Sequence, residues 1–332
     1  MQKIVLLLGF ALAAFGIVGA RQVTADDHVP QAVRIDVGGY KLNSVLIEPD
    51  KKADLPPIVF LHGASTSLKD PLFSFRKTLQ GRARLLFVDR PGHGSSDIGS
   101  EQNILPDGQA DAVAQLMRKR GIGKAIIVGH SFGGAIAAAF AVRHPDMVSG
   151  LVFLSPAVYP WDGSVAWYYS AATAPVTGQV FSALVVPPVG LLAIKGAASA
   201  VFSPNPVPAG YIAETNAFQA LSPTAFRHNA REISALSDWA RTASRQYPKI
   251  KAPTVIITGD ADEIVSPEIH AKHLARDIRG AKLIVVHKLG HKSDYIARDL
   301  AVAAIESVAG RRKDLASIAR SVERRIAADA KD

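Results

Sequence analysis

The segment Gly129-His130-Ser131-Phe132-Gly133-Gly134 decides the fold of this chain. It lies between the apolar run 125–128, which predicts a buried strand, and the stretch 135–144, which predicts a helix. Its glycines permit a turn too tight for larger side chains and let the helix approach the strand closely. Such a turn raises the Ser131 hydroxyl above the sheet, beside a helix amino terminus whose dipole favours negative charge.

Short apolar runs of the same kind recur along the chain and alternate with helical stretches, as in a sheet covered by helices on both faces. The sequence therefore predicts an α/β fold with a doubly wound, mostly parallel sheet. Gly38-Gly39 predicts a hairpin between the β-rich runs 33–37 and 40–47. The other predicted strands are 58–61, 85–88, 151–154, 254–258 and 283–286, and the other predicted helices are 109–120, 267–278 and 294–308.

A serine hydroxyl is a poor nucleophile at neutral pH, so it needs a base and a group that orients the base. Asp262 lies just beyond the predicted strand 254–258, and His291 lies just beyond the predicted strand 283–286. The chain order is therefore Ser131, Asp262, His291. Asp260, two positions before Asp262, is a rival for the orienting carboxylate.

In this order, and in two further motifs, the chain resembles the α/β-hydrolase superfamily. One motif is His62-Gly63-Ala64-Ser65, which follows the predicted strand 58–61. The other is Asp89-Arg90-Pro91-Gly92-His93-Gly94-Ser95-Ser96, which is similar to the family's D-x-x-G-x-G-x-S loop. The resemblance covers nearly all of the chain after its N-terminal segment. It implies a mostly parallel central sheet with helices on both faces and an inserted helical cap.

The resemblance also implies a role for each site residue. Ser131 attacks an acyl carbon, His291 takes the serine proton and later passes it to the leaving group, and Asp262 orients His291. The backbone N–H groups of Ala64 and Phe132 form the oxyanion hole. The family's G-D-x-D pattern places the acid at the second aspartate, which favours Asp262 over its rival.

Other polar residues near these motifs are interpreted as structural. Asp260 is expected to form a turn by bonding nearby amides. Three histidines are interpreted as packing or pocket-lining residues, namely His62, His93 and His130. A metal site built from His270, His273, His287 and His291 is disfavoured, because His291 already has a role and no matching carboxylate cluster appears in the sequence. We expect neither a metal nor a cofactor.

The residue at the turn also limits the chemistry. By family resemblance, haloalkane dehalogenases and epoxide hydrolases use a carboxylate where this chain has Ser131, so both activities are disfavoured. The expected activity is that of a serine esterase forming an acyl-enzyme. A cofactor-free hydrolase of carbon–carbon bonds, a perhydrolase or an acyltransferase could use the same three residues, and a non-catalytic ligand binder could retain the fold.

No further strands are predicted over residues 157–248. The family inserts a helical cap at this point, so we call this segment the cap. The core is then 30–156 and 249–310. The cap is rich in alanine, proline and aromatic residues, which favours a small, apolar acyl substrate. Its stretch 183–202 is apolar enough for peripheral contact with a membrane.

The tail, 311–332, has apolar residues at helical spacing among basic ones, and it predicts an amphipathic helix. The apolar residues are Leu315, Ile318, Val322 and Ile326. Two interpretations stay open for this helix. Its apolar stripe docks on the body of the protein, or the helix attaches to an anionic membrane surface.

Composition excludes several classes of protein. With 332 residues, 48% of them hydrophobic and 20% charged, the chain is a folded globular protein. The absence of cysteine excludes disulfides, thiolate metal sites and a cysteine nucleophile. The formal charge of +9 is mostly spread along the chain, which disfavours nucleic acid as a partner.

The first twenty residues predict a signal peptide. Lys3 precedes the uncharged stretch 4–20, which ends in the small residues Val18-Gly19-Ala20 that a signal peptidase requires. At about 1.5 Å per residue, this stretch is shorter than the roughly 30 Å hydrocarbon core of a bilayer. We therefore expect export to the periplasm or the medium after cleavage, with retention as an N-terminal membrane anchor as the alternative.

Overall fold

The computed structural model describes residues 29–330, so the predicted signal segment 1–20 lies outside the described residues. One eight-stranded sheet runs in the order β1-β2-β4-β3-β5-β6-β7-β8. The first two strands are antiparallel to their neighbours, and all other pairs are parallel. The strands are β1 (Val33–Asp36), β2 (Lys41–Ile47), β3 (Ile58–Leu61), β4 (Leu85–Val88), β5 (Ala125–His130), β6 (Val148–Leu154), β7 (Thr254–Gly259) and β8 (Lys282–Val286).

Helices connect the parallel strands and cover the sheet, which confirms the predicted fold class. Strands β3, β4, β5 and β7 are buried along their whole length, as continuous apolar runs require. The helices of the core and the tail are α1 (Lys69–Leu79), α2 (Pro106–Lys119), α3 (Phe132–Arg143), α9 (Ala271–Asp277), α10 (Ser293–Ile296), α11 (Arg298–Val308) and α12 (Leu315–Asp329).

Two predicted helices differ from the observed ones. The stretch 267–278 forms a helix only from Ala271, after a turn that begins at Pro267. The stretch 294–308 is broken into α10 and α11, because Ala297 has φ −107° and ψ 32°, outside the helical range. The short α10 directly follows the loop that contains His291.

Every regular element described within the cap is helical. These elements are α4 (Trp167–Thr173), α5 (Thr177–Val180), a π-helical turn (Phe181–Val185), α6 (Val186–Phe202), α7 (Tyr211–Glu214), α8 (Pro223–Ala243) and the 3₁₀ turns Ala217–Leu221 and Ser244–Lys249. Helix α8 begins at a true N-cap, since the Ser222 hydroxyl accepts a hydrogen bond from the Ala225 N–H. It packs against α4 and reaches the core with its polar face.

Helix α12 buries its apolar stripe against α11 and β8. Leu315, Val322 and Ile326 are buried, with Ala319 in place of the predicted Ile318 on the inner face. The Arg325 guanidinium bonds the Asp299 carboxylate at 3.0 Å and fastens the helix to α11. The stripe that a membrane surface would need is therefore occupied by the body of the protein.

His270 connects the loop after β6 to the start of α9 as a neutral acceptor. Its Nδ1 atom accepts hydrogen bonds from the N–H groups of Val158 and Tyr159 at 3.1 and 3.0 Å. Burial lowers the pKa of His270 to about 4. The ring therefore stays neutral in the folded protein over a range in which the unfolded chain takes up a proton.

We expect His270 to lower the stability of the protein as the pH falls. The pKa of His270 is lower in the folded protein than in the unfolded chain. Its contribution to the free energy of unfolding is therefore fully present above about pH 6.5 and is lost progressively as the pH falls to about 4. The total loss is up to about 3 kcal/mol. Replacement by asparagine keeps an acceptor near the position of Nδ1 but removes the titration. Urea unfolding across this range should show a shallower pH slope for His270→Asn; equal slopes would contradict the assignment.

Candidate active site

Ser131 occupies a strained turn directly between β5 and α3. Its backbone has φ 53° and ψ −118°, a region that residues with side chains rarely adopt. The Ser131 N–H donates to the Leu154 carbonyl at 3.0 Å, so the turn is attached to the neighbouring strand β6. A side chain at Gly133 would come within 2.1 Å of the Leu61 carbonyl oxygen, so only glycine allows α3 to approach this closely. The predicted turn is present, with the serine at its tip.

Asp262 and His291 meet beyond the ends of β7 and β8. The Asp262 Oδ2 atom lies 2.9 Å from His291 Nδ1. The other oxygen, Oδ1, accepts hydrogen bonds from the N–H groups of Ile264 and Val265 at 3.0 and 2.9 Å. These two amides fix the carboxylate, and the carboxylate in turn fixes the His291 ring with its Nδ1 atom towards Asp262. The Nε2 atom is then the nitrogen left for a substrate or a nucleophile.

Asp260 does not take part in this contact. It is exposed, and its two oxygens accept from the Lys288 N–H and the His287 ring, each at 2.7 Å. These bonds join the loop after β7 to the loop after β8. The structure therefore brings Asp262, and not Asp260, to His291.

Ser131 and His291 are both nearly enclosed, at 9% and 4% exposure. Among the described residues, no hydrogen bond joins the serine hydroxyl to His291 Nε2. Such bonds are often long until a substrate is bound. The neighbouring residue His130 connects the Ser131 turn to the His291 loop. Its Nε2 atom bonds the His291 carbonyl at 3.0 Å, and the centroids of the two imidazole rings lie 4.9 Å apart.

Two backbone N–H groups beside Ser131 have no acceptor within the described part of the chain. Phe132 is the first residue of α3, so its N–H has no partner inside the helix, and the Ala64 N–H is likewise unpaired. The loop that contains Ala64 passes close to the nucleophile, because a side chain at Gly63 would lie 3.2 Å from Ser131 Cβ. Sequence analysis assigned these two groups to an oxyanion hole, and that role stays a prediction.

The cap also contacts the loop that contains Ala64 and Ser65. The Asn229 side chain of α8 accepts from the Ser65 N–H at 2.9 Å and donates to the Ser65 hydroxyl at 3.0 Å. A small cleft lies between the loop and the cap, lined by Ser65, Ser67, Tyr211 and Ala225 among others. Neither Ser131 nor His291 lines this cleft.

The Asp89 motif is structural. The Asp89 carboxylate accepts from the N–H groups of Leu68 and Ser95 and from the Asn43 side chain, at 2.7, 2.9 and 2.8 Å. A side chain at Gly94 would come within 2.1 Å of this carboxylate. The motif therefore ties three segments together near the site without reaching Ser131.

Next to it, a fully buried ion pair joins the cap to the core. The Arg90 guanidinium lies 3.1 Å from the Glu232 carboxylate of α8, and both side chains are completely enclosed. His93 bonds the same carboxylate at 2.7 Å, and Gln109 also contributes to this cluster. Sequence analysis missed the pair, although the polar residues His228, Asn229 and Glu232 on the inner face of an amphipathic helix are a signal that could have indicated it.

A second buried cation follows His291 directly. The Lys292 ammonium bonds the carboxylates of Asp70 and Asp294 at 2.8 and 3.0 Å. It also lies 4.8 Å from the Tyr295 ring and 5.7 Å from the Tyr211 ring of the cap. The loop that contains His291 is thus fixed by a charge cluster of the core and by an aromatic residue of the cap.

We expect Lys292→Met to destabilise the protein by about 3–5 kcal/mol, because it leaves two carboxylates buried without their counter-charge. Burial already raises the pKa of Asp294 to about 6 with Lys292 present. The matched control is Lys282→Met on an exposed position of β8, which should change stability by less than about 0.5 kcal/mol. Denaturant unfolding at neutral pH measures both; similar values for the two variants would contradict the prediction.

The cap also supports the loop from the other side. The Asn205 side chain accepts from the Gly290 N–H at 2.8 Å and donates to the Lys288 carbonyl at 2.9 Å. A side chain at Gly290 would come within 2.0 Å of the Ser203 carbonyl oxygen, so the two segments are in direct backbone contact. Asn205 is a residue that sequence analysis did not find.

Among residues 29–330, two groups of side chains have the spacing of metal ligands, and each of them is already bonded to a protein cation. One is His93, His228 and Glu232, with Arg90 3.0 Å from His93 Nε2. The other is Asp70, His130 and Asp294, with Lys292 bonded to both carboxylates. In the part of the chain that the structure describes, the four histidines considered from sequence, His270, His273, His287 and His291, do not form such a group.

Comparisons with known proteins identify the fold family. A family model described as "alpha/beta hydrolase fold" matches residues 56–293. A 2-(acetamidomethylene)succinate hydrolase of Mesorhizobium japonicum is 25% identical over 85% of this chain and 95% of its own length. A monoacylglycerol lipase of Xenopus laevis is 26% identical over 74% of this chain and 71% of its own. Lipase LipV of Mycobacterium tuberculosis is 45% identical, but the match spans only 28% of that protein.

Solved structures share the fold at low identity. The enol-lactonase from Burkholderia xenovorans LB400 superposes with a TM-score of 0.66 at 21% identity, over 84% of this chain and all of its own. A membrane phospholipase A described as a bacterial virulence factor gives a TM-score of 0.66 at 20% identity, over 85% of this chain and 87% of its own.

Proposed function

Because this chain belongs to the alpha/beta hydrolase fold family, we propose that it is a serine hydrolase that cleaves an ester or related acyl bond of a small, largely apolar substrate. One observation supports this above all others. The strained Ser131 turn is joined to the His291 loop by His130, whose Nε2 atom bonds the His291 carbonyl at 3.0 Å, and Asp262 holds the His291 ring at 2.9 Å. The N–H groups of Ala64 and Phe132 are unpaired in the described part of the chain.

In this proposal the reaction proceeds through an acyl-enzyme. The Ser131 oxygen attacks the acyl carbon while His291 Nε2 takes the hydroxyl proton, and Asp262 stabilises the imidazolium. The N–H groups of Ala64 and Phe132 donate to the oxyanion. When the tetrahedral intermediate collapses, His291 gives the proton to the leaving alcohol, and a water molecule activated by His291 then hydrolyses the Ser131 ester.

The preference for an apolar acyl group rests on the cap. Tyr169 of α4 lies beside Ser65, and helix α6 carries a single charged residue, Lys195. Two of the relatives above are named lipases, which supports the same substrate class. A hydrophobic pocket discriminates by only about 1–3 kcal/mol per methylene, so we expect a broad optimum of chain length.

A panel of chromogenic esters of increasing acyl length tests the proposal. Turnover, together with covalent labelling of Ser131 by a fluorophosphonate, is the expected result. Labelling without turnover of any ester would overturn the ester assignment and favour a carbon–carbon bond as substrate. No labelling at all would overturn the enzymatic assignment in favour of ligand binding.

The proposal includes export. It rests on Lys3, the uncharged stretch 4–20 and the small residues that end it. The N-terminal sequence of the protein recovered from cells tests it. A chain that begins at Arg21, or at Asp26 after the second small-residue site Val23-Thr24-Ala25, supports export with cleavage. A chain that begins at Met1 and stays with the membrane supports an N-terminal anchor.

A further inference from the structure

The cap presents a long apolar helix to the solvent. The residues of α5, the π-helical turn and α6 form one continuous helix, Thr177–Phe202, which we call the apolar cap helix. Its most apolar stretch has a mean hydropathy of 1.8, and only 11% of that stretch is buried in the protein. Leu192 is 89% exposed and Leu184 is 71% exposed. Soluble monomers rarely expose contiguous apolar area of this kind without an interaction that uses it.

The surface around the apolar cap helix is also apolar. Trp167 on the neighbouring α4 is 73% exposed, and Val176 and Phe218 are also exposed. Over residues 163–213 the chain has a single charged side chain, the exposed Lys195, and no carboxylate. Elsewhere charges are frequent, so the cap surface differs in composition from the rest of the protein. A lipid surface with anionic headgroups matches both the apolar residues of this surface and its single positive charge.

The exposed residues of the apolar cap helix cover a wider part of its circumference than the single apolar stripe of an amphipathic helix. Residues 191–193 are exposed in succession, and so are residues 195–197. Because successive helical residues point about 100° apart, three of them cover more than half of the circumference. A second copy of the chain would bury one side of such a helix. A fluid lipid surface can receive the whole of the exposed face.

Both ends of the helix contact other parts of the protein, which favours an orientation along its surface over one across a bilayer. Phe202 at its end is buried beside Lys292 and Tyr211, and Gly178 near its start packs against the Ala172 carbonyl. Helix ends fixed on one body leave the axis parallel to the surface of that body. This is the orientation of an interfacial helix, with Trp167 at the level that indole rings prefer.

We propose that the apolar cap helix and the adjoining Trp167 dock in the plane of a lipid surface, with Leu184 and Leu192 inserted among the acyl chains and Lys195 at the anionic headgroups. This goes beyond the proposed function, because docking requires none of Ser131, Asp262 and His291. It places the cap, which covers the candidate active site, at the boundary where apolar acyl esters are found.

A single engineered cysteine tests this, because the chain has none of its own. The full chain with Leu192→Cys is labelled with a polarity-sensitive fluorophore and mixed with vesicles of phosphatidylcholine and phosphatidylglycerol. We expect a blue shift, and quenching by nitroxides on the lipid chains. The matched control is Val285→Cys, an exposed apolar position on β8 outside the cap, which should show neither effect.

The label distinguishes the cap from the N-terminal segment, which could bind vesicles by itself. A chain that binds vesicles while the label at position 192 stays in water overturns the proposal. So does a label shielded without lipid, either at high protein concentration, which indicates a second copy, or at any concentration, which indicates another segment of the chain. As a second measurement, Leu192→Ser should weaken the cap-dependent partition about tenfold or more, and Val285→Ser should leave it unchanged.

Discussion

Ser131→Ala is expected to lose about 10⁶ of the turnover of any acyl ester that the protein cleaves, because the acyl-enzyme cannot form without the hydroxyl. Substrate binding should persist, since the cap and the donors of Ala64 and Phe132 are unchanged. The measurement is steady-state hydrolysis of the best ester of the panel. A fluorophosphonate should no longer label the protein.

The control for this variant is Ser155→Ala. Ser155 is also a buried serine with a positive φ, 45°, and its hydroxyl donates to the Ser293 hydroxyl at 2.9 Å. This variant measures how much turnover is lost when alanine replaces a serine at a backbone position with positive φ. We expect most of the turnover to remain. If Ser131→Ala retained turnover similar to that of Ser155→Ala, the nucleophile would be misassigned.

Asp262→Asn is expected to lose about 10⁴ of turnover while the fold is kept. The N–H groups of Ile264 and Val265 would hold the amide oxygen, as they hold Oδ1 now, and would direct the amide nitrogen towards His291 Nδ1. Two donors cannot share that contact, so the ring would carry its proton on Nε2. His291 could then no longer accept the Ser131 proton.

Asp260→Asn is the matched control for this carboxylate. It changes the same group two positions away, on a residue that is exposed and bonds Lys288 and His287. We expect only a small loss of turnover. A loss at Asp260 as large as at Asp262 would show that the orienting carboxylate had been chosen wrongly.

Local patterns predicted the sheet and the turn well. Apolar runs such as 58–61 and 85–88 coincide with β3 and β4, because a strand buried on both faces must be continuously apolar. The Ser131 turn was predictable for a similar reason, since glycines at fixed offsets are required where α3 approaches β3. The contact of Asp262 with His291 followed from the ends of neighbouring parallel strands.

Contacts between distant segments were not predictable in this way. Lys292 has no local signal of burial, and its partner Asp70 is on α1, far away in the chain. Asn205 and Glu232 lie in the cap, where helices pack without the register that a sheet imposes. Their roles depend on how the cap rests on the core, which no periodicity in one sequence encodes.

The hydrogen bonds of Asn205 to Lys288 and Gly290 have a consequence for protein engineering. Exchanging caps between family members is an attractive way to change specificity, and it treats the cap as a detachable module. Here an exchange at residues 157 and 248 would leave the Gly290 N–H without its acceptor and the Lys288 carbonyl without its donor, one and three residues before His291. A graft on this scaffold must therefore keep the segment around Ser203 and Asn205 with the core.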